Sequence, residues 1–285
     1  MSVGLLRRAL TGFAAAATTS VVRGALDWQP PGGPARWTRR NHAGEPVSLL
    51  EGPAVTVGVL TGALSGATTA RGRLAAAVAV LGAGGFGLLD DLGEAGTEPA
   101  KGLRGHLGAL ARGRLTTGGL KVLGIGASAV VAAALLPRVG PRGRRTADVL
   151  VDATIIAGTA NLVNLLDLRP GRALKAAAAV AGPVALAGGP GAVPASAVLG
   201  AAVAASEPDL AETDMLGDCG ANALGAALGT AIAQSAPRAV RIAWLVTVGA
   251  LTVASERVSF TAVIERTPAL AAVDAWGRRR RPGRG

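Results

Sequence analysis

Three short clusters of side chains in this sequence could do chemistry, and each stands at the edge of an apolar run. The first is Asp90-Asp91-Leu92-Gly93-Glu94, which follows the uncharged stretch Gly84-Gly85-Phe86-Gly87-Leu88-Leu89 directly. An ionised carboxylate beside hydrocarbon is costly, so Asp90 and Asp91 must shed a proton, find cationic partners or hold a metal ion, unless they mark a solvated helix end at a membrane surface. A hard dication such as magnesium suits such a pair, because it takes oxygen ligands and usually shares them with substrate phosphates.

The second cluster is Asn161-Leu162-Val163-Asn164-Leu165-Leu166-Asp167, followed by Leu168-Arg169-Pro170-Gly171-Arg172. On a helix Asn161, Asn164 and Asp167 fan over roughly 120° of one face. Pro170 and Gly171 end that helix and leave Arg169, Arg172 and Lys175 free to reach phosphate oxygens. A polar seam between packed helices is the alternative use of the asparagines. The third cluster is Asp214-Met215-Leu216-Gly217-Asp218-Cys219-Gly220-Ala221-Asn222-Ala223-Leu224-Gly225. Asp218 stands on a Gly-flanked turn at the mouth of the next apolar helix, where backbone amides can approach an anion.

The elements that must position these groups follow from composition. Half of the 285 residues are hydrophobic (50%), only 16% are charged, and mean hydropathy is +0.42, far from an average soluble domain. Ala, Leu, Val and Gly dominate, a composition that packs membrane helices closely through small residues. The net charge of +11 does not point to nucleic acid, because the basic residues lie between apolar runs and at the C-terminus; anionic lipid and phosphate substrates fit that layout. The single cysteine, Cys219, excludes an intrachain disulfide and a multi-cysteine zinc site, and two histidines, His42 and His106, make a poor metal centre.

Residues 1–26 read as an apolar segment interrupted by Arg7 and Arg8, a retained span rather than a signal peptide, since no small-x-small cleavage site precedes a soluble domain. Residues 27–46 read as a loop, by their Pro, Gly and Arg content. Apolar runs follow at about 47–69, 73–89, 115–136, 147–166, 173–188, 192–206, 219–236 and 239–254, several of them short of the ~20 residues a span needs. The expectation is an all-α polytopic transmembrane bundle over residues 1–254, of about nine spans within a range of eight to eleven. If the Asp90 loop is cytoplasmic, loops 27–46, 90–114, 167–172 and 207–218 and the tail 255–285 share its side, with about 19 of the 29 Lys and Arg, in the positive-inside direction. Arg7, Arg8, Arg138, Arg142, Arg144 and Arg145 fall opposite. The tail's Trp276-Gly277-Arg278-Arg279-Arg280-Arg281 reads either as an anchor on anionic lipid or as solvated disorder.

In this order and spacing, the Asp-Asp pair, Asn-x-x-Asn-x-x-Asp and Gly-Asp-x-Gly-x-x-x-Leu-Gly resemble the polyprenyl-phosphate sugar-1-phosphate transferases, which include the phospho-N-acetylmuramoyl-pentapeptide and undecaprenyl-phosphate N-acetylglucosamine-1-phosphate transferases. The resemblance covers roughly residues 36–260, and Arg39-Arg40-Asn41-His42-Ala43-Gly44-Glu45-Pro46 resembles the family's first cytoplasmic loop. It implies transfer of a sugar-1-phosphate from a UDP-sugar to undecaprenyl phosphate with release of UMP, for cell-envelope polysaccharide or peptidoglycan precursors. The implied setting is the bacterial cytoplasmic membrane, with the active site facing the cytoplasm and a homodimer admitted. The implied cofactor is Mg2+, with Mn2+ as a substitute.

Carried over by position, Asp218 is the leading metal ligand and Asp90 and Asp91 bind metal and lipid phosphate or assist attack. Asn161, Asn164 and Asp167 frame the nucleotide-sugar diphosphate. The chain departs from the family pattern at Pro170, where a second carboxylate is usual, and in lacking the late His-rich motif; Ser255-Glu256-Arg257-Val258-Ser259-Phe260 and Val263-Ile264-Glu265-Arg266 occupy that region instead.

Other signals carry less. Gly82-Ala83-Gly84-Gly85-Phe86-Gly87 satisfies a dinucleotide pattern, but inside an apolar span helix packing explains it better. Asp148 and Asp152 are expected to pair with Arg144 or Arg145, away from the site, and His106 to be a solvated loop residue. Lys121, one turn into a span, is expected to face a ligand, as intramembrane lysines face partners. A homologue that binds lipid phosphate or nucleotide sugar without turnover, and a transporter with a midplane site, are the rival readings.

Overall fold

The computed structural model describes residues 2–93, 116–136 and 142–279; most of the 90–114 loop, including Glu94, Lys101, Arg104, His106 and Arg112, lies outside them, as do Arg138 and Arg280–Arg281. Among the described residues there are eleven α-helices and one two-stranded hairpin. The helices are α1 (Val3–Trp28), α2 (Glu51–Gly66), α3 (Ala70–Gly93), α4 (Thr117–Leu135), α5 (Arg142–Leu166), α6 (Arg172–Ala187), α7 (Ala192–Leu210), α8 (Gly217–Ser235), α9 (Arg238–Ser255), α10 (Phe260–Arg266) and α11 (Pro268–Ala275). Each apolar run of the sequence is thus a helix. Four of these helices are long and apolar enough to cross a membrane: α3, α4, α5 from Thr146 to Leu166, and α9.

α8 is the centre, with every residue from Cys219 to Ile232 buried. Its side chains are too small to hold neighbours apart, so the surrounding helices approach to backbone contact. A Cβ on Gly225 would lie 2.5 Å from Thr159 O of α5, and one on Gly87 of α3 would lie 2.3 Å from Asp218 O. Gly82 packs on Ser128 of α4 and Gly84 on Thr56 of α2, which is why the glycine-rich stretch 82–87 exists without a nucleotide. α1 lies against α2 and α7, again through small residues, Gly58 and Gly62 meeting Ala15 and Gly200 meeting Gly12. α1 is therefore built into the bundle. α9 is peripheral: Val248 is its one buried residue, and Val240, Val246 and Val253 stay exposed, an apolar face suited to lipid.

Polar rungs hold α9 on α5. Arg238 Nη1 donates to Asp148 Oδ1 and Arg241 Nη1 to Asp152 Oδ1, both at 2.6 Å; Trp244 Nε1 donates to Thr159 Oγ1 at 2.9 Å and Asn161 Nδ2 to Thr252 Oγ1 at 3.2 Å. Asp148 and Asp152 thus meet arginines of α9, one α5 turn apart and so aligned on one face; the expected partners Arg144 and Arg145 have side chains outside the described residues.

Two expectations are corrected. The 27–46 loop is folded: Thr38–Arg40 (β1) pairs antiparallel with Pro46–Ser48 (β2), and Trp37, Leu49 and Leu50 form a small core beneath it with Leu26, Leu88 and Met215. Of the two readings of the tail, solvated disorder does not hold through residue 279, because α10 and α11 turn back onto the start of α6. Asp274 accepts from Arg172 Nε at 2.8 Å and Nη2 at 3.0 Å, and Thr261 Oγ1 accepts from Arg172 Nη1 at 2.9 Å.

Close approach makes a sharp stability test. Gly87→Ala forces α3 off α8 and should cost about 1–3 kcal/mol, whereas Gly85→Ala, exposed with nothing within 4 Å of its new Cβ, should be neutral or up to about 1 kcal/mol stabilising. Thermal midpoints of the two variants in the same detergent check this.

Candidate functional site

Three helix ends supply the site. α3 ends with Asp90 and Asp91, α4 begins four residues before Lys121, and α8 begins with Gly217 and Asp218. Consecutive residues on a helix point about 100° apart, so the two aspartates of α3 serve different partners. Asp91 turns to the start of α8: its Oδ1 accepts from Asp218 N and its Oδ2 from Cys219 N, both at 2.9 Å. This satisfies two of the four N–H groups that a helix start leaves open. Gly217, at φ +58°, makes the turn, and a side chain there would meet the Asp91 carboxylate.

Asp90 turns the other way. Its Oδ2 lies 2.5 Å from Lys121 Nζ, and the same ammonium contacts Asp218 Oδ2. One lysine therefore joins the carboxylates of two helices. Asn222, one turn along α8, donates to Asp218 O at 2.7 Å.

The hairpin and the loop before α8 close over this point. Arg39 Nη2 donates to Asp91 O at 2.5 Å, Ser48 N to Thr213 O and Met215 N to Ser48 O, both at 2.9 Å. Arg23 of α1 grips Asp214 with two hydrogen bonds of 2.7 Å, and Asn41 Nδ2 donates to Glu212 Oε2 at 2.9 Å. The expected loops 27–46, 167–172 and 207–218 and the tail thus lie at one end of the bundle, together with Asp90, Lys121 and Asp218.

At the same end of the bundle opens a cleft of about 260 Å³, lined by Arg40, Asn41, His42, Asp167, Arg169, Asp209, Glu212 and Asp214 among others; Asp90, Lys121 and Asp218 are not part of its lining. Asp209 Oδ1 accepts from Gly171 N at 2.8 Å and fixes the turn that carries Asp167. Asp167 Oδ2 is buried without a hydrogen-bond partner. Burial first, then the carboxylates of Asp209, Asp218 and Asp91, holds the Asp167 carboxyl well above the ordinary carboxylate range. The first and third clusters are joined by hydrogen bonds, and Asp167 of the second lines the cleft at the same end.

Not every expected residue joins them. Asn161 is engaged by Thr252 of α9, and Asn164 is half-buried one turn before Asp167. Arg172 and Lys175 are not free to reach phosphate: Arg172 is buried on Asp274 and Thr261, and Lys175 Nζ donates to Val273 O at 3.1 Å and Asp274 O at 2.8 Å. Gly171, at φ +69°, turns the chain so that both face the tail. Arg169, half-buried, lines the cleft but lies 3.5 Å from Glu265 Oε1. Arg23, Asp209 and Glu51 carry no motif in the sequence, and Asn41 stands out there only within the Arg39–Pro46 stretch. Glu51 is almost fully buried with neither carboxylate oxygen hydrogen-bonded; its only signal was an acid between Leu50 and Gly52.

Among the described residues, no group of three or more His, Cys, Asp or Glu side chains forms a cage for a metal ion. The donor chemistry at Asp90 and Asp218 nonetheless fits magnesium, which commonly takes one or two carboxylates and completes its shell with water and substrate phosphates. Asp91, expected as a second ligand, has its oxygens turned to the α8 amides instead. Compared with known proteins, the chain matches no protein-family model and no curated protein.

Two predictions follow from these contacts. Lys121→Met leaves Asp90 and Asp218 facing each other without a cation and should cost about 3 kcal/mol or more, whereas Asp91→Ala should cost about 1–2 kcal/mol as a lost helix cap; thermal melts in detergent separate the two. At the tail, burial raises the Asp274 carboxyl, but hydrogen bonds and charge from Arg172 and Arg278 outweigh it and leave its pKa below the ordinary range. The contribution is complete above the unfolded value of about 3.9 and is lost as pH falls through the depressed folded value. Tail docking should then hold at neutral pH in the wild type, and Asp274→Asn should speed tryptic cleavage after Arg266 several-fold at that pH, because cleavage of a helical site needs the segment to undock and unfold.

Proposed function

We propose that this protein is a membrane phosphoglycosyl transferase of the polyprenyl-phosphate sugar-1-phosphate transferase type. It moves a sugar-1-phosphate from a UDP-sugar to undecaprenyl phosphate at the cytoplasmic surface of a bacterial inner membrane. The observation that carries this reading is the meeting of Asp90, Lys121 and Asp218 at the ends of three helices, at the end of the bundle that also opens a cleft lined by Asp167, Arg40 and Arg169. A transporter would place such groups near the middle of its spans.

The reaction joins two anions. An oxygen of the lipid phosphate attacks the phosphorus that bears the sugar, the bond from that phosphorus to the bridging oxygen breaks, and UMP leaves with the bridging oxygen. No strong general base is required, because a phosphate monoester loses its second proton near pH 6. Repulsion between the reactants is the main obstacle, so positioning and charge neutralisation do most of the work. Arg40 and Arg169 line the cleft and can meet phosphate there, while Lys121 holds the Asp90 and Asp218 carboxylates together. Asp218 and Asp90 would hold Mg2+, which when bound shields the diphosphate and stabilises the charge shifted to the leaving oxygen. Asp167, whose carboxyl is held above the ordinary range by burial, lines the cleft where the donor would sit.

A second reading has its own support. Lys121 already balances the Asp90 and Asp218 carboxylates, and Pro170 stands where the family pattern has an acid, so a homologue that binds lipid phosphate or nucleotide sugar without turnover fits these two features.

Purified protein with undecaprenyl phosphate, Mg2+ and a panel of UDP-sugars decides between them. The enzyme reading expects UMP release with at least one donor, loss of release on chelation, and about a 100-fold or greater fall in kcat in Asp218→Asn. No release from any donor, together with retained lipid binding in Asp218→Asn, would overturn it.

A further inference from the structure

The two C-terminal helices show opposite faces. Toward the protein, Asp274 is buried on Arg172, Arg278 Nε donates to Pro170 O at 3.0 Å, and Arg279 N donates to Leu210 O at 3.1 Å. The segment thereby grips the turn that carries Asp167 and the end of α7. Away from the protein, Val263, Leu270, Val273 and Trp276 are exposed at 43%, 47%, 59% and 77%. Arg257, Arg266 and Arg279 are exposed around them.

A water-facing surface rarely collects a Trp and three large aliphatic side chains within 14 residues, whereas a segment lying at the headgroup level combines such residues with arginines. Its charge selects the lipid. Asp274 is buried on Arg172, so the exposed charges are Arg257, Arg266 and Arg279 against Glu256 and Glu265, and Glu265 leans toward Arg169, which leaves the outward charge positive. α10 also follows directly on α9, a helix able to cross the membrane, so the segment starts where that helix ends.

We propose that α10 and α11 lie in the headgroup layer of an anionic bilayer, on the face of the bundle that carries the cleft, with the apolar side chains in the acyl boundary and Arg257, Arg266 and Arg279 on lipid phosphates. The segment's inner face holds the Asp167 turn, so lipid contact and the cleft floor are joined through Asp274. This inference does not depend on the transferase reading: it concerns the lipid surface alone.

The test uses the full chain in nanodiscs of phosphatidylcholine, with or without phosphatidylglycerol. Cys219 is buried and is the sole cysteine, so Leu270→Cys carries one thiol-reactive fluorophore at an exposed site. Expected is quenching by a headgroup-nitroxide lipid, protection from aqueous iodide, and stronger quenching with phosphatidylglycerol. Arg266→Gln and Arg279→Gln should each weaken the anionic preference about fivefold, the scale of one charge near such a surface. Native Trp276 emission, taken as the difference from Trp276→Phe, gives the same reading without a label. Open access of iodide in both lipids, or quenching indifferent to phosphatidylglycerol, would overturn the proposal.

Discussion

The architecture of this end of the molecule depends on one ammonium group placed between two carboxylates from different helices. Lys121 reaches from α4 to Asp90 on α3 and Asp218 on α8. Any one of these charges alone at the rim of an apolar bundle would be strongly unfavourable. Together they fix the relative height of three helices, because a shift of one turn along any axis would move its charge about 5.4 Å out of reach. Asp91 fixes the angle, by binding the first amides of α8 while Asp90 faces the other way.

That arrangement is reachable only because the helices approach so closely. Large side chains between α3 and α8 would hold Asp91 too far from Asp218 N to bond it. Gly87 against the Asp218 backbone, and the unbroken buried run of α8, therefore belong to the same design as the charges. Packing through small residues and a dense polar site at one end are two aspects of one constraint.

Much of this was legible in the sequence, and for physical reasons. Long apolar runs separated by charged loops point to buried or membrane-facing helices, and the structure has a helix for each. An acid pair beside such a run, and a lysine one turn inside another, each demanded a partner; they found one another. What stayed hidden was the choice among partners. Arg172 and Lys175 were expected to reach phosphate, but the sequence does not reveal that the tail folds back to offer Asp274 and the main-chain oxygens of α11. Asp148 and Asp152 meet Arg238 and Arg241 of α9, partners about 90 residues away that no local spacing announces. Short-range spacing predicts which side chains need a counterion, whereas tertiary path decides which one they receive. The hairpin was missed because its three-residue strands are too short for alternation to show.

The most direct measurement is a double-mutant cycle on thermal stability with Lys121→Met, Asp218→Asn and the pair. The account predicts strong coupling, with the double variant losing far less than the two single losses combined and an interaction energy of about 1–3 kcal/mol. Losses that add within about 0.5 kcal/mol would contradict it, because the two side chains would then not share a contact.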